Sequence, residues 1–164
     1  MDIIVRKSYL SHIISHLNRG MMIILVGQRR VGKSYMLRQL NRWLEENQPD
    51  AKVVYINKEL LDFSNITNAK ELNDYVSPQF KPDGKNYLLI DEVQDIEGYE
   101  DALRSLHAED RCQIIATGSN AYIFSSELST RLGGRYIEIP IYGLSYSEFL
   151  EFHALEDNDK SLND

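Results

Sequence analysis

Two rhythms of apolar residues alternate along these 164 residues. Short continuous apolar runs read as strands; stretches with apolar residues three and four apart read as helices. Ile3 to Val5 precede a predicted helix over 8–19, with Leu10, Ile13, Ile14 and Leu17 as its stripe, Ser8 as N-cap and Gly20 as its stop. The run Met22 to Val26 predicts a strand buried on both faces. A helix with Met36, Leu37, Leu40, Trp43 and Leu44 inward follows and closes before Pro49. Lys52 to Asn57 predicts a second strand, and 60–80 is ambiguous, with a short helix around Leu72, Tyr75 and Val76. After a turn at Pro82-Asp83-Gly84-Lys85, Tyr87 to Glu92 predicts a third strand. Next come a helix over 99–107 with Leu103 and Leu106 inward, and a fourth strand from Gln113 to Ala116. A helix over 121–132, broken by Gly133-Gly134, leads to a fifth strand from Arg135 to Ile141. Ser145-Tyr-Ser-Glu148 is a capping box opening a last helix to about 155. The alternation predicts an α/β fold, a parallel sheet with helices on both faces, as one domain over 1–155. An acidic tail over 156–164 reads as disordered.

The first strand runs straight into a glycine-bounded loop. Gly27-Gln28-Arg29-Arg30-Val31-Gly32-Lys33-Ser34 is G-x-x-x-x-G-K-[ST], the phosphate-binding Walker A motif, here between a predicted strand and a predicted helix. Glycine at 27 and 32 frees the backbone so that successive N–H groups can turn toward phosphates. The helix start beyond it, through Tyr35, adds its positive dipole end. Lys33 is the candidate to reach the β- and γ-phosphates, and Ser34 the candidate to bind Mg²⁺ through its hydroxyl. Residues 27–35 together form the candidate nucleotide cradle, with Arg29 and Arg30 given no catalytic role.

Two further strand ends complete a constellation. Asp91 ends the third strand after four apolar residues and is the candidate second metal ligand, a Walker B acid. Glu92 follows at once and is the candidate to polarise the attacking water. Thr117, Ser119 and Asn120, where the fourth strand ends, all have the chemistry to sense a γ-phosphate. Arg131 and Arg135 flank the Gly-Gly break, and arginine suits planar recognition of phosphate oxygens.

Composition adds bounds. The hydrophobic fraction of 43% and charged fraction of 26% are ordinary for a globular domain. No apolar run approaches the ~18 residues of a membrane helix, and the N-terminus lacks the order of a signal peptide. The single Cys112 has no internal disulfide partner and reads as a structural thiol. These features imply a cytoplasmic protein. The net charge of −7 argues against extensive contact with a nucleic-acid backbone, although much of the excess lies in 151–164.

The set Gly27 to Ser34, Leu89-Ile-Asp-Glu-Val-Gln94, Thr117-Gly-Ser-Asn120, Gly134-Arg135 and Leu144-Ser-Tyr-Ser-Glu-Phe149 resembles a group of prokaryotic AAA+ ATPases. In that group an N-terminal ATPase domain precedes a poorly characterised second domain. The resemblance implies a P-loop NTPase three-layer sandwich with a five-stranded sheet ordered 5-1-4-3-2. It implies Mg²⁺-ATP as ligand, coupling of turnover to a partner or conformational change, and contacts between subunits that complete the site. Lys33, Ser34, Asp91 and Glu92 carry over directly; Asn120 or Ser119 carries over as the γ-phosphate sensor, and Arg135 as an arginine finger on a face shared with Arg131. The segment before the first strand, Ile4, Val5, Arg6 and Tyr9, is the candidate adenine wall. The helical lid and second domain of such proteins do not follow the Leu-Ser-x-x-Glu-Phe helix here, so a longer natural chain and slow turnover by this domain alone are expected.

Two other functions fit the same loop. A small-molecule P-loop kinase would carry an arginine-rich lid and ordinarily no acid at Glu92. A nucleotide switch module would bind ATP or ADP and barely turn it over.

Overall fold

The computed structural model describes residues 5–119 and 126–153. The end of the last predicted helix, the acidic tail, Ile4 and Asn120 lie outside them.

Five parallel strands form one sheet: β1 (Met22–Val26), β2 (Lys52–Asn57), β3 (Asn86–Asp91), β4 (Gln113–Gly118) and β5 (Tyr136–Pro140). Their order is β2-β3-β4-β1-β5, the expected 5-1-4-3-2 counted from the other edge. Among the described residues, six α-helices connect and flank them: α1 (Lys7–His16), α2 (Lys33–Asn47), α3 (Ala69–Val76), α4 (Tyr99–Ala108), α5 (Ser126–Arg131) and α6 (Tyr146–His153).

The alternation of side chains along a strand builds two cores from one sequence run. Met22, Ile24 and Val26 face one layer, packing with Leu72, Val76, Leu103, Leu106, Leu128 and Leu132 of α3, α4 and the α5 region. Ile23 and Leu25 face the other, packing with Ile13 of α1 and Met36, Leu37, Leu40 and Leu44 of α2. All five β1 residues are at most 2% exposed, which is why this strand reads as unbroken apolar sequence rather than as an alternating one. Full burial of such side chains stabilises by roughly 1.5–3 kcal/mol each. Half-buried Cys112 packs against the first core, and burial pushes its thiol up to about 12, as befits a structural residue.

Several boundaries differ from the sequence reading. Helix α1 begins at Lys7, not Ser8, with no side-chain cap; it ends at His16, where Leu17 turns extended, three residues before the expected last helical residue, Arg19. Strand β4 continues through Thr117 and Gly118, because these two residues pair in parallel with Leu25 and Val26. Strand β3 gains Asn86 and gives up Glu92, which leaves the ladder in a left-handed conformation (φ 59°). The ambiguous 60–80 stretch holds α3, capped by Asn68 Oδ1, which accepts the Glu71 N–H at 3.0 Å. The capping box on α6 is present: Glu148 Oε2 accepts the Ser145 N–H at 2.8 Å, and Ser145 Oγ accepts the Glu148 N–H at 3.3 Å.

Register brings the chemistry to one edge. Val26 pairs with Gly118, Ile90 with Ala116 and Asn57 with Asp91. The carboxyl ends of β1, β3 and β4 therefore finish side by side, where ligands of open α/β sheets bind.

Candidate functional site

The loop after β1 is shaped by close packing. A Cβ on Gly27 would collide with the carbonyl oxygen of Ile141, so no larger residue fits between the loop and the chain leaving β5. Gly32, at φ 100°, turns the chain into α2 in a conformation that L side chains rarely adopt. Lys33 follows and is 3% exposed. Its ammonium donates to the carbonyls of Gly27 at 2.8 Å and Gln28 at 2.6 Å, so the lysine folds back along its own loop. Burial pushes the Lys33 pKa below the usual 10.5, while Glu92 and Asp91 pull it back up.

Ser34, one residue on, reaches across the sheet edge. Its Oγ donates to Asp91 Oδ1 at 3.0 Å. Thr117 Oγ1 donates to the same oxygen at 2.6 Å and accepts the backbone N–H of Glu92 at 3.0 Å. Asp91 is fully buried, and its second oxygen, Oδ2, has no hydrogen-bond partner among the described residues. A buried carboxylate oxygen left unpaired is costly, and this one sits beside a hydroxyl at the start of a helix.

The Glu92 carboxylate is held from two sides. Ser119 Oγ donates to its Oε2 at 2.8 Å, and Gln94 Nε2 makes a short hydrogen bond to the same oxygen. A cleft of about 500 Å³ opens here, lined by Arg29, Arg30, Lys33, Tyr35, Arg38 and Glu92 among others.

The structure thus brings together Gly27, Gly32, Lys33, Ser34, Asp91, Glu92, Thr117 and Ser119. Arg29 and Arg30 are exposed and line the cleft. Three readings need correction. Thr117 is fully buried beneath Asp91, so its hydroxyl is not available to a phosphate and drops out as a sensor candidate. Arg6 is 3% exposed and bound on all sides by protein: its side chain donates to Glu148, Val31, Tyr142 and Gly143, so it presents no free face to an adenine. Tyr9 lies under the Arg6 guanidinium at 4.5 Å, and its hydroxyl accepts the Tyr142 N–H. Of the sensor candidates, Ser119 is engaged with Glu92, and Asn120 lies outside the described residues.

Arg135 and Arg131 are exposed and lie at the other edge of the sheet. Arg135 immediately precedes β5, whose five residues run parallel to β1 toward the loop edge. At about 3.3 Å per residue, that strand separates Arg135 from the carboxyl edge by roughly 15 Å. These arginines do not join the site of their own chain.

Sequence reasoning missed three contributors. Gln94 holds Glu92, Glu148 holds Arg6, and Gln39 Oε1 accepts the Arg6 backbone N–H at 3.2 Å. For Gln94 the signals were its closeness to the acid pair and its place at the end of the Leu89 to Gln94 motif; for the other two the chain separation hid it.

A parallel sheet in this order, with a glycine loop after β1 and an acid ending β3, defines an AAA+ type P-loop fold. Residues 19–150 match the family model described as an AAA domain, and the chain belongs to that family. An uncharacterized protein of Haemophilus influenzae is 34% identical over 160 residues, covering 96% of this chain and 40% of the relative. The chain therefore spans well under half the length of that relative. Among solved structures, the Aeropyrum pernix ORC1 protein in complex with DNA shares the fold with a TM-score of 0.67 at 14% identity, over 93% of this chain and 50% of that one. AMPPCP-bound DnaA from Aquifex aeolicus does so with a TM-score of 0.60 at 20% identity, over 97% of this chain and 56% of that one. Among the described residues, no helix is long and apolar enough to cross a membrane.

Proposed function

We propose that this domain binds Mg²⁺-ATP in the 27–34 loop and hydrolyses it slowly. The observation that carries the reading is the Ser34–Asp91 pair: a helix-start hydroxyl bonded to a buried carboxylate whose other oxygen is unpaired among the described residues. Two hard oxygen donors of this kind suit Mg²⁺, and Ser34 and Asp91 are the residues that would hold it. Bound there, the ion would neutralise charge on the phosphate oxygens. The membership of the AAA domain family and the likeness to AMPPCP-bound DnaA support the same ligand.

Each remaining residue has a task consistent with its place. Lys33 exchanges the carbonyls of Gly27 and Gln28 for phosphate oxygens, and its mostly buried position strengthens that attraction. Glu92 accepts a proton from the attacking water. Thr117 orients Asp91 and fixes the Glu92 backbone. Ser119 is the γ-phosphate sensor on this reading, with Asn120 next to it in sequence. Arg135, or Arg131 beside it, would serve a neighbouring copy, since about 15 Å of strand keeps it from its own loop. An arginine finger contributes about 10³–10⁵ in rate, so a lone copy turns over slowly.

A second reading, a switch that holds nucleotide with little turnover, is favoured by one specific feature. Ser119 and Gln94 both donate to Glu92 Oε2, so that oxygen is occupied by protein donors where a base would have to accept from water. Phosphate release measured with and without Mg²⁺, for the parent and Asp91→Ala, separates the two. Hydrolysis predicts Mg²⁺-dependent release that Asp91→Ala abolishes. Binding without release in every condition supports the switch.

A further inference from the structure

Arg6 is the most heavily bonded side chain outside the candidate site. Its Nε and Nη2 form a two-pronged pair with Glu148 of α6, at 2.8 and 3.1 Å. Nη2 also donates to the carbonyls of Tyr142 at 3.0 Å and Gly143 at 3.2 Å. Nη1 donates to the carbonyl of Val31, inside the glycine loop, at 3.1 Å. One guanidinium therefore grips the loop, the chain leaving β5, and α6. A second, independent contact joins the same parts. Tyr35, in the first turn of α2 and lining the cleft, packs its ring on Phe152 of α6, with centroids 5.9 Å apart.

The grip on Val31 has a geometric consequence. A trans peptide is planar, with its C=O and the following N–H pointing in opposite directions. Holding the Val31 carbonyl on Arg6 therefore fixes the direction of the Gly32 N–H, away from Arg6. That N–H is one of the donors the loop has to offer an anion. The same guanidinium that sets it is held in place by α6. Glu148 is committed twice over, since the oxygen that accepts from Nη2 also caps the Ser145 N–H. A shift of α6 moves Glu148, and with it Arg6 and the Val31–Gly32 peptide.

We propose that Arg6 is a positioning residue for the 27–34 loop and that α6 is latched to this loop through Arg6–Glu148 and Tyr35–Phe152, so that occupancy of the loop and docking of α6 form one linked equilibrium. The identity of the ligand, a nucleoside di- or triphosphate, rests on the function proposed above. The latch itself does not. By linkage, a ligand that tightens the loop tightens α6, and an α6 that lets go weakens the ligand by the same factor. The domain would then report its nucleotide state through the helix that leads out of the described structure. Lysine cannot replace Arg6, because one ammonium cannot span a carboxylate and three carbonyls in a planar fork.

The test is hydrogen exchange on the whole chain, first without nucleotide. Glu148→Gln and Phe152→Ala should each speed exchange at residues 31–35, far from the substituted side chain in sequence. Arg6→Lys should do the same. In the parent chain, Mg²⁺-ADP should slow exchange across 146–153, and Glu148→Gln should weaken ADP roughly five-fold or more, within the usual range of such couplings. If Arg6→Lys fails to fold, the two α6 variants decide the matter. Unchanged exchange at 31–35 in both of them overturns the latch. A parent chain that binds neither ATP nor ADP contradicts the nucleotide reading alone, and the nucleotide-free exchange still decides the latch.

Discussion

Thr117 Oγ1 donates to Asp91 Oδ1 at 2.6 Å while accepting the Glu92 N–H at 3.0 Å, so one buried hydroxyl ties both members of the acid pair to β4. The two bonds give Thr117 a structural task that a phosphate sensor does not have. Thr117→Val keeps the shape and removes both bonds, leaving the partly buried Glu92 N–H without this acceptor. We expect a loss of about 1–3 kcal/mol in unfolding free energy. Thr117→Ser retains both bonds and should cost only about 1 kcal/mol. Urea denaturation of the two variants checks this; equal losses would show that the hydroxyl does not matter.

Glu92 is held by Ser119 and Gln94 but makes no bond to Ser34 or Asp91 among the described contacts. Glu92→Gln should therefore leave ATP affinity within a few-fold and remove turnover. Affinity by fluorescence titration and phosphate release on the same sample are the readouts. Turnover at the parental rate would require another base.

The Arg6–Glu148 pair predicts a pH dependence with a definite sign. The hydrogen bond from Arg6 holds the Glu148 carboxyl below its usual 4.5, aided by the Ser145 N–H and opposed by burial. A carboxylate with a lowered folded pKa contributes stability that is complete above the unfolded value and is lost as pH falls through the folded one. Parent and Glu148→Gln should thus differ in Tm near neutrality. The gap should close as the pH drops below about 4.5, the unfolded value. A gap that does not narrow at all as the pH falls below 4.5 would assign the difference to packing instead.

Arg135 stands at the edge of the sheet opposite the glycine loop, so its proposed contribution has to come from a second copy. Specific activity should rise with protein concentration. Mixing Lys33→Ala with Arg135→Ala chains should restore part of the activity that each lacks, because a mixed contact pairs an intact loop with an intact arginine. Flat specific activity without rescue would leave Arg135 no role in turnover.

The layers of the fold were legible because burial writes itself into local sequence. β1 and β3 lie in the middle of the sheet with both faces covered, which leaves continuous apolar runs, and the loop after β1 obeys a backbone constraint that only glycines meet. The Ser145–Glu148 box is visible for the same reason: both partners lie three residues apart. What escaped depends on distant pairing. Arg6 reads as part of an adenine wall until Val31 and Glu148, 25 and 142 residues away, are seen to surround it. Thr117 looks like a polar strand end until its pairing with Leu25 draws it into the sheet. Which edge Arg135 occupies follows from strand direction, which no local pattern encodes.

The central claim is that the 27–34 loop is a nucleotide site in which Lys33 meets the phosphates. Thermal denaturation with Mg²⁺-ATP tests it most directly, for the parent chain and Lys33→Ala. The account predicts a Tm that rises with ATP concentration in the parent and stays flat in a folded Lys33→Ala. An equal rise in both proteins, or none in the parent, would contradict it.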